Sequence, residues 1–186
     1  MGHMRRPIAL AAFLLAAPIY AQVPQAVDPA QIPAYRVIAP GIVAAGQPAA
    51  EALPKLGAMG FKTVLNLRMP DEGGPANEQG VVESQGLRYV SVPVGPGRFG
   101  LAEVESVEKV IGDPAAGPIL FHCASSNRVG ATWAVILARR GKPLDEALAA
   151  GREAGLKSSA MEDAVRRLVA ESPARRPSER DCADCP

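Results

Sequence analysis

The sequence predicts a single layered α/β domain whose central, mostly parallel sheet has about four to five strands flanked by helices. Three observations predict it. Short β-branched runs bounded by Gly and Pro recur along the chain, helical stretches separate them, and everything after Cys123 reads as helix.

In chain order, "YRVIAPGIVAAGQP" offers β-prone segments broken by Pro40-Gly41. The runs at 63–68 ("TVLNLR"), 89–94 ("YVSVPV") and 118–123 ("PILFHC") have the length and composition of buried strands. Between them, residues 49–59 carry apolar side chains at helical spacing, with Pro54 as a point of division. Residues 77–85 and 102–111 are helical in pattern, each closed by a glycine, Gly86 and Gly112. The stretch 128–140 is apolar on most faces and is therefore expected at the centre. Residues 144–154 start after Pro143 and stop at Gly155, and the last helix opens with Ser159 followed three residues later by Glu162, a capping-box pattern.

The ends are of a different kind. Met1-Gly2-His3 reads as a cloning remnant, and Met4 opens the layout of a secretory signal peptide: two arginines, an apolar run from Ile8 to Ala17, and a small residue at Ala21. That run covers only about half of the ~20 helical residues a bilayer core requires, so a cleaved signal is expected, with export to the periplasm. Residues 1–21 thus stand apart from a domain at 22–171. Residues 172–186, rich in Pro and charge, are expected to be a disordered tail. No second long apolar segment follows, so the mature chain is expected not to span a membrane. A net charge of +1 gives no electrostatic reason to expect nucleic acid as a partner.

The residue inventory excludes several chemistries. The three cysteines are Cys123, Cys182 and Cys185; the last two can pair with each other in an oxidising compartment, leaving Cys123 free. His122 is the only histidine outside the first three residues, which excludes a multi-histidine metal site, and no metal or organic cofactor is expected. Neighbours on a strand point to opposite faces, so His122 is not placed to act as base for the Cys123 thiol. Gly95-Pro96-Gly97-Arg98-Phe99-Gly100 fits G-x-G-x-x-G, but it follows a late strand and no acidic residue ends a strand about 20 positions on; it reads as a connecting loop.

"ILFHCASSNRVG" (119–130) carries the chemistry. If "FHC" ends a central strand and Arg128 begins the next helix, residues 124–127 lie at the carboxyl edge of the sheet, where open α/β folds bind ligands. Backbone N–H groups of such a loop, with the first ones of the helix, cradle an anion and favour a thiolate. Arg128 would clamp two oxygens of a tetrahedral anion, and the small side chains of Ala124, Ser125, Ser126 and Asn127 leave room for it.

"HCASSNR", preceded by "PILF" and followed by a hydrophobic helix with Trp133, resembles the signature region of cysteine-dependent protein phosphatases of the dual-specificity type. Upstream, "GIVAAGQPAAEALPKLGAMGFKTVLNLRMPDE" and "VESQGLRYVSVPV" resemble a bacterial phosphatase-like family, members of which occur fused to β-lactamase-like hydrolases. The resemblance covers most of residues 36–170. It implies a dual-specificity-phosphatase-like fold with Cys123 as nucleophile, Arg128 as the phosphate-binding arginine, His122 as the histidine that orders the loop, and the backbone of 124–128 as the phosphate cradle. Gln47 and Arg68 fall on features of the family without an assigned role. The implied partner is a phosphorylated protein, phosphotyrosine included, or a small phosphorylated molecule.

The chain departs from that pattern in four places. Four residues rather than five separate Cys123 from Arg128, a count seen in rhodanese-type sulfurtransferases. The glycine usual inside the loop is replaced by Ser126 or Asn127, and of these Asn better tolerates a positive φ. Val129 stands where Ser or Thr usually follows the arginine, with Thr132 a turn later. The stretch "SVPVGPGRFGLAE" contains no Asp to serve as general acid, so Glu103, Asp71 and Glu72 are the candidate carboxylates. The leading expectation is phosphomonoester hydrolysis through a phosphocysteine. Sulfur transfer through a Cys123 persulfide and a catalytically silent anion-binding module are the alternatives.

Overall fold

The computed structural model describes residues 27–172; the expected signal peptide, all but one residue of the expected tail, and the Cys182/Cys185 pair lie outside them. Five strands form one sheet: β1 (Arg36–Ala39), β2 (Ile42–Ala45), β3 (Thr63–Asn66), β4 (Arg88–Ser91) and β5 (Ile119–His122). Five α-helices accompany them: α1 (Glu78–Glu83), α2 (Leu101–Ile111), α3 (Asn127–Arg139), α4 (Leu144–Glu153) and α5 (Ser159–Glu171).

The spatial order is β1-β2-β5-β3-β4, which puts β5 in the middle. Only β1 is antiparallel to its neighbour, through a tight reversal in which Gly41 takes φ +72°. All four residues of β3 and of β5 are buried, as expected for strands covered on both faces. On one face Leu65, Phe121 and Cys123 pack against Val104, Val107, Trp133, Ile136, Leu148 and Leu168 of α2 to α5. On the other, Val43, Val64 and Leu120 meet Leu53, Leu56, Phe61 and Val82.

Local chemistry moved several boundaries. Residues 49–59 fold as turns around a single 3-10 helix, Leu53–Lys55, because Pro54 lacks the N–H that a continuing helix requires. β4 ends at Ser91, although Val92 and Val94 still donate to Asn66 O at 2.9 Å and Leu67 O at 3.0 Å across Pro93. Gly86 closes α1 in the left-handed region (φ +74°), whereas Gly112 keeps a right-handed φ of −87°. The capping oxygen of α5 is that of Ser158, not Ser159; it accepts from Met161 N at 3.4 Å, and Glu162 instead pairs with Arg152 of α4 at 2.7 and 2.6 Å.

Helices α3 and α4 approach closely because both present glycine at the crossing. A Cβ on Gly130 would overlap Gly151 O and Leu156 N, and one on Gly151 would come within 2.8 Å of Gly130 O. Gly130→Ala is expected to lower stability by about 1–3 kcal/mol through overpacking. A reduced urea midpoint with unchanged slope would show it, and an unchanged midpoint would contradict this packing.

Candidate active site

Three parallel strands end together. Ala45 of β2, His122 of β5 and Asn66 of β3 are in register, so the residues that follow them, Gly46-Gln47, Cys123 onward and Leu67-Arg68, gather at one edge of the sheet. Cys123 is the first residue beyond β5; its N–H donates to Ala45 O at 3.3 Å, and its side chain lies in the helix-covered core, 1% exposed. His122, fully buried, faces the other way. Its Nε2 is 3.1 Å from Glu78 Oε1.

From Cys123 the chain turns sharply into α3. The turn is made by Ser126, with φ +68°, rather than by Asn127. Ser126 tolerates this backbone because its Oγ donates to Ala154 O at 2.7 Å and because Gly155, whose Cβ would sit 2.6 Å from that of Ser126, leaves it room. Asn127 serves elsewhere: its Oδ1 accepts from Lys157 N at 2.7 Å and Ser158 N at 3.1 Å. Among the described residues, no protein acceptor meets the backbone N–H of Ala124, Ser125, Asn127, Arg128 or Val129. Ala124 and Ser125 are exposed, so this set of donors opens to solvent beside the Cys123 thiol.

Arg128 rises from the first turn of α3. Its Nη1 donates to Val94 O at 2.9 Å, Leu67 O at 3.4 Å and Glu72 Oε1, and its Nη2 to Glu72 Oε2 at 2.7 Å. The Glu72 carboxylate above all, against the cost of burial, raises the Arg128 pKa, and the Cys123 sulfur adds to it. The converse holds at Glu72. The Arg128 hydrogen bond outweighs burial and, with the Met69 N–H and Arg68, holds its carboxyl at about 2.

Arg68 connects this pair to the strand-β2 side. Its Nε donates to Glu72 Oε2 at 3.4 Å, its Nη2 to Glu72 O at 3.1 Å, and its Nη1 to Gln47 Oε1. Gln47 in turn donates its N–H to Ala124 O at 3.2 Å. Burial pushes the Glu78 carboxyl up, but His122, Gln47 and Arg68 together hold it below the usual carboxylate range.

The structure therefore gathers Cys123, Arg128, the 124–127 loop and Glu72, and puts His122 directly behind them. Glu72 stands there as an ionised partner of Arg128, not as a proton donor at neutral pH. Glu103 caps α2 instead, its Oε2 accepting from Gly100 N at 3.1 Å and its Oε1 lying 3.9 Å from Arg98 Nε. Asp71 is exposed in the turn before Glu72. Sequence reasoning passed over Glu78 altogether: only the docking of α1 brings it to His122, and no spacing signals that.

Residues 34–140 match the family model of the beta-lactamase hydrolase-like protein, phosphatase-like domain. The chain belongs to this family. A beta-lactamase hydrolase-like protein of Agrobacterium fabrum is 30% identical over 105 residues, which cover 54% of this chain and 23% of that one. The chain thus spans less than a quarter of the curated relative's length. Among solved structures, TpbA of P. aeruginosa aligns with TM-score 0.60 at 24% identity, covering 85% of this chain and 93% of that one. The core catalytic domain of the PP-IP phosphatase SIW14 of S. cerevisiae aligns with TM-score 0.60 at 18% identity, covering 73% and 85%. The fold is that of the cysteine-dependent phosphatase superfamily.

A carboxyl whose pKa is lowered on folding contributes stability above its ordinary value, lost as pH falls through the folded one. For Glu72 that window runs from 4.5 down to about 2. Wild type should therefore be more stable than Glu72→Gln near neutral pH, and the two melting curves should converge as pH drops through this window. A gap independent of pH would contradict the ionised pairing.

Proposed function

We propose that this domain is a cysteine-dependent phosphatase that hydrolyses phosphomonoesters. One observation carries the reading: Cys123 and Arg128 meet at the carboxyl end of the central strand, around a loop in which the N–H groups of Ala124, Ser125, Asn127 and Arg128 have no protein acceptor among the described residues. A thiolate at Cys123 attacks phosphorus, the bond from phosphorus to the leaving oxygen breaks, and the leaving group departs with the electron pair to be protonated by water. Loop amides and Arg128 carry the equatorial charge. Water then attacks the phosphocysteine, releasing phosphate and restoring the thiolate.

Two observations support an aryl phosphate as substrate. A cysteine-to-serine variant of TpbA is known in complex with phosphotyrosine, and that structure aligns with TM-score 0.57 at 24% identity. An aryl phosphate such as phosphotyrosine suits a site without a committed carboxylic acid, because its leaving group needs less help. Export to the periplasm belongs to the same proposal, supported by the Arg5-Arg6 pair and the apolar run after it. N-terminal sequencing of protein recovered from the periplasm checks it, cleavage after Ala21 being the expected result.

A second reading is favoured by one feature, the four residues between Cys123 and Arg128. Sulfur transfer would put a persulfide on Cys123 and turn over thiosulfate with cyanide as acceptor.

Aryl phosphate hydrolysis under reducing conditions separates the two. Cys123→Ser should abolish turnover, and Arg128→Ala should cost roughly 10²–10³-fold, the range for losing one oxyanion donor. Across a series of aryl phosphates the rate should fall steeply as the leaving phenol becomes more basic. Thiosulfate turnover with no aryl phosphate hydrolysis would replace the first reading by the second.

A further inference from the structure

We propose that the junction between α4 and α5, residues 154–158, sets the anion cradle through the side chains of Ser126 and Asn127. Anion binding above Cys123 and closure of the junction's hydrogen bonds are then one coupled equilibrium. The proposal rests on the anion-binding part of the phosphatase reading and makes Ser126 and Asn127 positioning residues for that site.

The cradle needs a chain reversal at Ser126 before its donors can converge. That residue sits at φ +68° and ψ −4°, a left-handed conformation in which a side chain is held by its surroundings rather than by preference. The junction supplies the hold. Ser126, fully buried, donates from Oγ to Ala154 O at 2.7 Å, a carbonyl at the C-cap of α4, where intrahelical donors run out. Gly155 makes the approach possible: a Cβ there would come within 2.6 Å of Ser126 Cβ and 2.9 Å of its Oγ.

The next residue is tied to the same place. Asn127 Oδ1 accepts from Lys157 N at 2.7 Å and from Ser158 N at 3.1 Å. Its own backbone N–H, with those of Ala124, Ser125 and Arg128, has no protein acceptor among the described residues. Asn127 therefore serves the junction with its side chain and the anion with its backbone, and one set of torsions governs both. The carbonyl of Ser126 accepts from Gly130 N at 2.9 Å, so the first turn of α3, which carries Arg128, starts from the same corner.

Hydrogen bonds that share a backbone are linked. An anion that fixes residues 124–128 makes the bonds at Lys157 N and Ser158 N open less often. By reciprocity, whatever opens those bonds weakens the anion by the same factor.

Two simpler roles predict different behaviour. If the tethers serve only the fold, their loss lowers stability and leaves phosphate affinity unchanged. If the Asn127 side chain touches the anion directly, its loss weakens phosphate, but phosphate leaves amide exchange at Lys157 and Ser158 unmoved in wild type.

The test is residue-resolved amide exchange on the full chain with and without inorganic phosphate. Titration calorimetry with phosphate, aryl phosphate kinetics and melting curves accompany it for wild type, Ser126→Gly and Asn127→Ala. Glycine keeps the φ of the turn and removes only the hydroxyl tether. Saturating phosphate should slow exchange at Lys157 N and Ser158 N in wild type and not in Asn127→Ala. Each variant should bind phosphate roughly three- to thirtyfold more weakly, the range for residues that carry coupling between sites, with kcat/KM falling at least as far. Unchanged affinity in either variant overturns the proposal in favour of a role in the fold alone. Weaker binding by Asn127→Ala, beside wild-type exchange that phosphate does not slow, overturns it in favour of direct contact.

If neither variant folds, the wild-type exchange carries the test, and no slowing at Lys157 and Ser158 under saturating phosphate overturns the proposal. Wild type that binds no phosphate and hydrolyses no aryl phosphate overturns the phosphatase reading along with it. Phosphate binding with slowed exchange but no hydrolysis overturns that reading and upholds this proposal.

Discussion

A flexible arginine has four rotatable bonds and a large rotamer entropy, so its use as an anion clamp depends on what holds it between encounters. At Arg128 the holder is the bidentate pair with Glu72, and much else at the sheet edge is arranged around that pair. Glu72 is tied to Arg68, Arg68 to Gln47, and Gln47 to the carbonyl of Ala124, inside the loop that begins at Cys123. Glu78 and His122 extend the series behind the sheet. Arg128, Glu72 and Arg68 alternate in charge, and each is partly removed from water. In such a series the loss of one member leaves its neighbour's charge uncompensated, which costs more than the pair contributes when intact. The rim of the site is therefore set as a unit rather than residue by residue.

The loop is also held from the helical side. A serine in the left-handed region costs on the order of 1–2 kcal/mol, and a hydrogen bond of ~0.5–1.5 kcal/mol from its hydroxyl to the Ala154 carbonyl offsets much of this. Asn127 ties the same corner to Lys157 and Ser158, so the junction between α4 and α5 carries the turn that a glycine would otherwise make freely. This gives the helices after the signature a role beyond covering the sheet. The glycine contact between α3 and α4 fixes how closely that junction approaches the loop.

What could be read without coordinates was governed by local physics. The β3 and β5 runs, buried on both faces, announced themselves by β-branched composition between Gly and Pro, and the opposite facing of His122 and Cys123 followed from strand geometry alone. The helical spacing of 49–59 did not become an α-helix; Pro54, marked as a point of division, leaves only the 3-10 helix Leu53–Lys55. The sequence left Ser126 and Asn127 open for the left-handed position, because that preference is an average over residues, whereas Ser126 has a particular acceptor at Ala154, 28 positions away. Asp71 and Glu72 are neighbours of similar chemistry. Only the approach of α3 to the turn after β3 makes one the partner of Arg128 and leaves the other in solvent.

The division of labour at the site bears on its chemistry. In the proposed reaction, binding and attack fall to the ends of β2, β3 and β5, where donors and charge converge. Beyond β4 the chain folds into a tight turn, Gly95 and Arg98 exchanging backbone hydrogen bonds of 3.2 and 2.9 Å. Gly95 packs so closely on Met69 that a Cβ would approach its side chain to 2.8 Å, which binds this turn to the one that carries Glu72. The two turns thus brace Arg128 together, Val94 from one and Glu72 from the other. A general acid is worth about 10²–10⁴-fold in rate. On the phosphatase reading proposed above, the described part of the site grips a tetrahedral anion, and its reach in substrate is set by how readily the leaving group departs unaided.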